Sequence, residues 1–128
     1  MVHGRGENGT TWAEVAADLA ADHRVYALDL RGHGLSDRRP GGYGFDAFRD
    51  ELGGFLKALG LTGATVVAHS MGAAAAYLLA RDEPGLVGRL VLEEPPVFFP
   101  LDPPRPAAER PEGPSASTGR SSRPPTPS

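Results

Sequence analysis

The chain has no cysteine among its 128 residues. A disulfide framework, a thiolate nucleophile and any cysteine-ligated zinc site are therefore excluded. Charge bias is also small, with 13 Lys and Arg against 16 Asp and Glu for a net of −3. Nothing in that balance calls for nucleic acid or an anionic membrane as partner. No apolar run approaches the ~20 residues of a membrane-spanning helix. No basic-then-apolar leader is visible either, because Met1-Val2 runs straight into His3-Gly4. The expectation is a soluble, cytoplasmic protein acting on a small molecule, with no cofactor and no metal.

Proline is scarce in one part of the chain and dense in the other. Of 13 prolines, only Pro40 and Pro84 precede residue 95. The remainder mix with Ser, Arg and Gly. Beyond Leu101 the apolar side chains are Ala107, Ala108 and Ala116, too few to offset the entropy of ordering the segment. The expected organisation is one folded domain over 1–100 and a disordered Pro/Ser/Arg-rich tail over 101–128.

What is present centres on Ala64-Thr65-Val66-Val67-Ala68-His69-Ser70-Met71-Gly72, which runs into Ala73-Ala74-Ala75-Ala76-Tyr77-Leu78-Leu79-Ala80. A β-branched run stops at a serine flanked by small residues, and an alanine-rich helix starts with no polar linker between them. That spacing predicts Ser70 on a tight strand-to-helix turn with its hydroxyl lifted clear of the backbone. The pattern is A-x-S-x-G, one residue away from the G-x-S-x-G nucleophile elbow.

The flanking segments predict alternating strands and helices. Thr11-Trp12-Ala13-Glu14 reads as a capping box. Trp12, Val15, Ala16 and Leu19 follow at helical spacing to about Ala21. Arg24 to Leu30 reads as a buried strand, and Arg31-Gly32-His33-Gly34-Leu35-Ser36 as the turn leaving it. Phe45, Phe48, Leu52, Phe55, Leu56 and Leu59 form an apolar stripe closed by Gly60, weakened by Gly53 and Gly54. Leu86 to Glu93 reads as another strand. Strands alternating with helices imply a parallel sheet with right-handed crossovers. His23 is expected to be solvated and His33 structural, with Trp12 as a core anchor.

Gly4, Gly6 and Gly9 also spell G-x-G-x-x-G, with Asp29 about twenty residues later, as in a dinucleotide-binding fingerprint. Only three residues are available for the strand that must precede it, and the next helix starts at Thr11. A plain turn and an oxyanion loop are the other two readings of these glycines.

Four landmarks together resemble the α/β-hydrolase family. They are His3-Gly4, then Asp29-Leu30-Arg31-Gly32-His33-Gly34-Leu35-Ser36, then His69-Ser70-Met71-Gly72, then Leu90-Val91-Leu92-Glu93-Glu94-Pro95-Pro96. The likeness extends to about Pro114. It implies a partial α/β-hydrolase fold, a parallel sheet flanked by helices and truncated at both ends, with esterase-like acyl hydrolysis through Ser70. By similarity, the backbone N–H groups of Met71 and Arg5 form the oxyanion hole, His3 holds its loop, and Glu93 matches a position where some members carry the acid. The family's order is nucleophile, acid, histidine. All four histidines here (His3, His23, His33 and His69) precede Ser70, so the catalytic histidine is not present and impaired turnover is expected. The family's strand order would place Met1-Val2-His3 between the Tyr26 and Val67 strands. From Ser115 the family pattern gives way to low complexity. A shifted reading frame in a GC-rich gene, with a start codon assigned too far downstream, is one account of this, and a genuine Pro-rich linker is the other. A non-catalytic fragment or binding module is the alternative to a hydrolase.

Overall fold

The computed structural model describes residues 1–96. The expected tail over 101–128 and the composition change at Ser115 lie outside the described residues. A 3-10 turn at Gly9–Trp12 leads into α1 (Ala13–Leu19), followed by α2 (Phe45–Ala58), β1 (Ala64–His69), α3 (Ser70–Asp82) and β2 (Val87–Glu93). β1 and β2 pair in parallel, with Val66 opposite Leu90 and His69 opposite Glu93. The α3 crossover between them packs on both strands, and α2 packs on α3.

The start of the chain supplies the middle of the sheet. Val2 bridges Leu28 on one side and Ala68 on the other, both in parallel. Its N–H donates to the Val67 carbonyl at 2.9 Å, and its carbonyl accepts the His69 N–H at 3.0 Å. On the other side Leu28 N–H donates to the Met1 carbonyl at 3.2 Å, and the Met1 ammonium donates to the Tyr26 carbonyl at 2.6 Å. The expected order is therefore observed, but the Arg24–Leu30 strand is reduced to one bridge. A strand exists only where a neighbour offers a ladder, and the segment opposite it is three residues long.

α2 follows from its stripe: Phe48, Leu52 and Leu56 are buried. Its end is a Schellman motif. Gly60 has φ +67°, its N–H donates to the Lys57 carbonyl, and Leu61 N–H reaches back to the Leu56 carbonyl at 2.9 Å. Gly53 has a packing role, since a Cβ there would lie 3.0 Å from Leu79 Cδ1. α3 buries every residue from Met71 to Ala76, then Leu78 and Leu79; small side chains let this helix sit close on the sheet.

The N-terminal helix differs from expectation in two ways. The cap is Asn8, whose side chain accepts the Thr10 N–H at 2.9 Å, so the helix begins in 3-10 form ahead of the Thr11 capping box. Trp12 is buried as expected, but Val15 on the expected inner stripe is 45% exposed, because among the described residues α1 packs chiefly against its own 3-10 turn.

Candidate functional site

Ser70 occupies the junction between β1 and α3. His69 is the last extended residue, with φ −113° and ψ +137°, and Ser70 turns to φ +47°. A left-handed backbone costs a non-glycine residue roughly 1–2 kcal/mol, so neighbouring contacts must hold it. Ala68 is completely buried, which explains why a small residue suffices at the first position of the elbow pattern. Gly72 is required by contact. A Cβ on it would lie 2.5 Å from the His3 carbonyl oxygen and 2.8 Å from Val2 Cγ1. The first turn of α3 is thus pressed onto the backbone of Val2-His3.

The loop after His3 closes on the same place. A Cβ on Gly4 would lie 2.8 Å from His69 Nδ1, Gly6 turns the loop at φ +77°, and Arg5 is exposed. Gly4 N–H donates to the Glu7 carboxylate at 2.7 Å, and the same oxygen lies 3.0 Å from His69 Nδ1. Glu94, itself at φ +45°, approaches His69 Nε2 at 3.7 Å. The His69 hydrogen bond, followed by the Gly4 N–H, holds the Glu7 carboxyl below its ordinary value. The Glu7 hydrogen bond and charge, with smaller contributions from Glu93 and Glu94, raise His69.

The motifs gave no role to Glu7, nor to Glu94, which lies in the fourth landmark. The signal for Glu7 was present as G-x-x-E: a carboxylate three residues after a loop N–H can reach back to it, as the third helical residue does in a capping box. Glu93 lies at the exposed end of β2 opposite His69.

The other sequence landmarks hold the scaffold. His3 is fully buried. Its Nε2 accepts the Leu30 N–H at 3.0 Å, which leaves Nδ1 to donate to the Gly4 carbonyl at 2.7 Å. His33 packs on the His3 ring at 4.9 Å and bonds the Arg31 carbonyl at 2.9 Å. Asp29 accepts N–H groups from Leu35 at 2.9 Å and Gly9 at 2.7 Å, and these hold its carboxyl below the ordinary value. His23 is exposed beside Asp22. The G-x-G-x-x-G glycines therefore have other work. Gly4 donates to Glu7, Gly9 donates to Asp29, and the acid that a ribose would need has both oxygens engaged. A cleft of about 290 Å³ is lined by Arg31, Ser36, Asp37, Arg39 and Glu51. A second, of about 580 Å³, runs along Val25 to Asp29; neither is lined by Ser70. Among the described residues no cluster of His, Asp and Glu could hold a metal ion, and no helix is long and apolar enough to cross a membrane.

Comparison with known proteins adds to this geometry. N-formylmaleamate deformylase of Pseudomonas putida is 42% identical over 102 residues, covering 78% of this chain and 38% of that protein. A 2-hydroxymuconate semialdehyde hydrolase from a Pseudomonas species is 40% identical over 96 residues, covering 72% of this chain and 34% of that protein. Among solved structures, an N-formylmaleamic acid deformylase from Pseudomonas putida S16 superposes with a TM-score of 0.69 at 35% identity, over 75% of this chain and 37% of the other. The chain thus spans little more than a third of the length of these relatives. The sequence model of the alpha/beta hydrolase fold matches residues 1–113. By that match, and by the sheet order and strand-to-helix turn described above, the chain belongs to the alpha/beta hydrolase fold family.

Proposed function

We propose that this chain carries the nucleophile of a serine hydrolase acting on a small acyl compound. In this reading Ser70 attacks the acyl carbon, and the backbone N–H groups of Met71 and Arg5 receive the developing oxyanion. The observation that carries it is the left-handed Ser70 at φ +47° between β1 and α3. A strained residue persists only where surrounding structure enforces it, and such residues concentrate at reactive sites. Two contacts support the oxyanion assignment: Gly72 meets the His3 carbonyl, and Gly4 meets His69. They join the two segments on which Met71 and Arg5 lie. The names of the relatives, a deformylase and a semialdehyde hydrolase, favour a small ester- or amide-like substrate, and a cytoplasmic setting suits such a compound. Glu93 is assigned as the possible acid.

A serine hydroxyl needs a base to be nucleophilic, and no histidine follows Ser70. In this reading, turnover by these 128 residues alone is expected to fall orders of magnitude below that of a complete triad. The same fact favours a second reading, a non-catalytic hydrolase module. A fluorophosphonate probe with peptide mass spectrometry separates the two. Hydrolase chemistry expects slow labelling at Ser70, abolished in Ser70→Ala together with any hydrolysis of p-nitrophenyl acetate. Labelling absent at Ser70, or unchanged in the variant, refutes it in favour of the module.

A further inference from the structure

Asn8 is the only asparagine in the chain, and a glycine follows it. In such a pair the glycine nitrogen can attack the asparagine side-chain amide, since no Cβ on the second residue obstructs it. The fold uses both residues. Asn8 caps the 3-10 turn, its Oδ1 accepting the Thr10 N–H at 2.9 Å and the Thr10 hydroxyl at 2.5 Å. Gly9 is buried, and a Cβ on it would lie 3.0 Å from the Ala27 carbonyl oxygen. A reactive pair is thus built into the loop that joins His3 to α1.

The same contacts hold it unreactive. Ring closure needs the Asn8 Cβ and the Gly9 nitrogen nearly eclipsed about the Asn8 Cα–C bond, whereas ψ −179° leaves them staggered. Rotation toward the eclipsed form is opposed at three points. Gly9 N–H, whose proton must leave, donates to Asp29 at 2.7 Å. The Asn8 carbonyl accepts the Thr11 N–H at 3.1 Å, and Asn8 Oδ1 is tied to Thr10. The second Asp29 oxygen accepts the Leu35 N–H at 2.9 Å, which fixes the carboxylate in place.

We propose that Asn8–Gly9 is a deamidation site that Asp29 keeps closed, reacting only when the loop from Gly4 to Trp12 opens from the Asp29 turn. On opening, water takes the Gly9 N–H proton and the nitrogen attacks Asn8 Cγ. The N–Cγ bond forms, the Cγ–Nδ2 bond breaks, and ammonia leaves with a proton returned to it. Water then adds to either carbonyl of the succinimide, giving aspartate or isoaspartate. Aspartate caps as well as asparagine does. Isoaspartate puts an extra methylene into the backbone, so the Thr10 cap and the Gly9–Asp29 bond cannot both re-form. The site records time spent open, whether or not Ser70 is a nucleophile.

The test incubates the full 128-residue chain at mildly alkaline pH, folded and in guanidinium chloride. The chain has no glutamine, so released ammonia reports Asn8 alone, and peptide mass spectrometry with chromatography resolves the isoaspartate. The unfolded chain is expected to react at least tenfold faster than the folded one. Asp29→Ala, shown to be folded by circular dichroism, is expected to react about tenfold faster than the parent, the worth of one hydrogen bond to a charged group. Val66→Ala, which weakens the core away from the loop, is expected to leave the rate unchanged, because the opening is local. Hydrogen exchange of the Gly9 amide reads the same opening in the parent without any substitution, and slow exchange is expected. Equal rates folded and unfolded, a folded Asp29→Ala at the parent's rate, acceleration by Val66→Ala, or an unprotected Gly9 amide overturns the proposal.

Discussion

Replacing Ser70 by glycine is expected to make the protein more stable while removing its candidate nucleophile. The residue sits at φ +47°, where glycine has no Cβ penalty and a non-glycine residue loses roughly 1–2 kcal/mol. Glycine also carries extra freedom in the unfolded chain, which offsets about 0.5–1 kcal/mol of that gain. The first position of a helix dilutes its propensity cost, since the residue makes few intrahelical bonds there. The net expectation is a gain of about 0.5–1 kcal/mol. For a domain of this size that is several degrees in melting temperature, at about 4–8 °C per kcal/mol.

Ser70→Ala supplies the control. It removes the same hydroxyl but keeps the Cβ, so it keeps the strain. Thermal unfolding of the two variants side by side, by circular dichroism at constant pH and salt, isolates the backbone contribution. Glycine is expected to melt above alanine. If glycine melts at or below alanine, Ser70 is not strained in solution. The argument from strain to reactivity would then lose its footing.

Two further expectations follow from the contacts around the elbow. Gly72→Ala puts a Cβ 2.5 Å from a backbone carbonyl, which no rotamer relieves; α3 must lift from Val2-His3, costing about 1–3 kcal/mol, read as a lower urea midpoint at unchanged slope. The Glu7–His69 contact should be pH-dependent. Its His69 contribution, from a raised folded value, is present below the ordinary 6.5 and lost as pH rises through the folded value. Its Glu7 contribution, from a lowered folded value, is present above the ordinary 4.5 and lost as pH falls through the folded value. The contact is thus strongest between about pH 4.5 and 6.5. An NMR titration should find the His69 midpoint lower in Glu7→Gln than in the parent chain, and an unchanged midpoint would place Glu7 elsewhere.

The elbow was legible because every local signal agreed. Val66 and Val67 favour a strand, Ala73 to Ala76 favour a helix, and Ala68 and Gly72, two positions to either side of Ser70, are small. The α2 stripe and its Gly60 stop were legible for the same reason. What failed depended on partners that a local window does not contain. Arg24 to Leu30 has the composition of a strand, but strand formation is a property of pairs, and Met1 to His3 offers too short a ladder. Val15 has the right spacing for a core face, yet spacing does not supply a surface to bury against. The Asn8 cap preceded the more familiar Thr11 motif by one 3-10 turn. Glu7 was illegible as a neighbour of His69, since sixty-two residues separate them and only the fold brings them together.

The candidate site and the fold share one anchor, and that constrains how the site can vary. Val2 bonds to β1 through its N–H and carbonyl, while the adjoining Met1 carbonyl accepts the Leu28 N–H, so the segment bridges both neighbours. His3 ties the same segment to Leu30 through its ring, while its carbonyl sits against Gly72. Gly4 carries the segment onward to Glu7 and His69. Consequently the Asp29 turn, the loop bearing Arg5 and the elbow bearing Ser70 are positioned by three consecutive residues. A shift of that segment would move the candidate oxyanion donors relative to the candidate nucleophile, even though neither Val2 nor His3 is proposed to touch substrate. The strain at Ser70 is then best regarded as stored in the packing of α3 on Val2-His3 rather than in the turn itself. Loosening that packing should relax the serine and dissolve the site together.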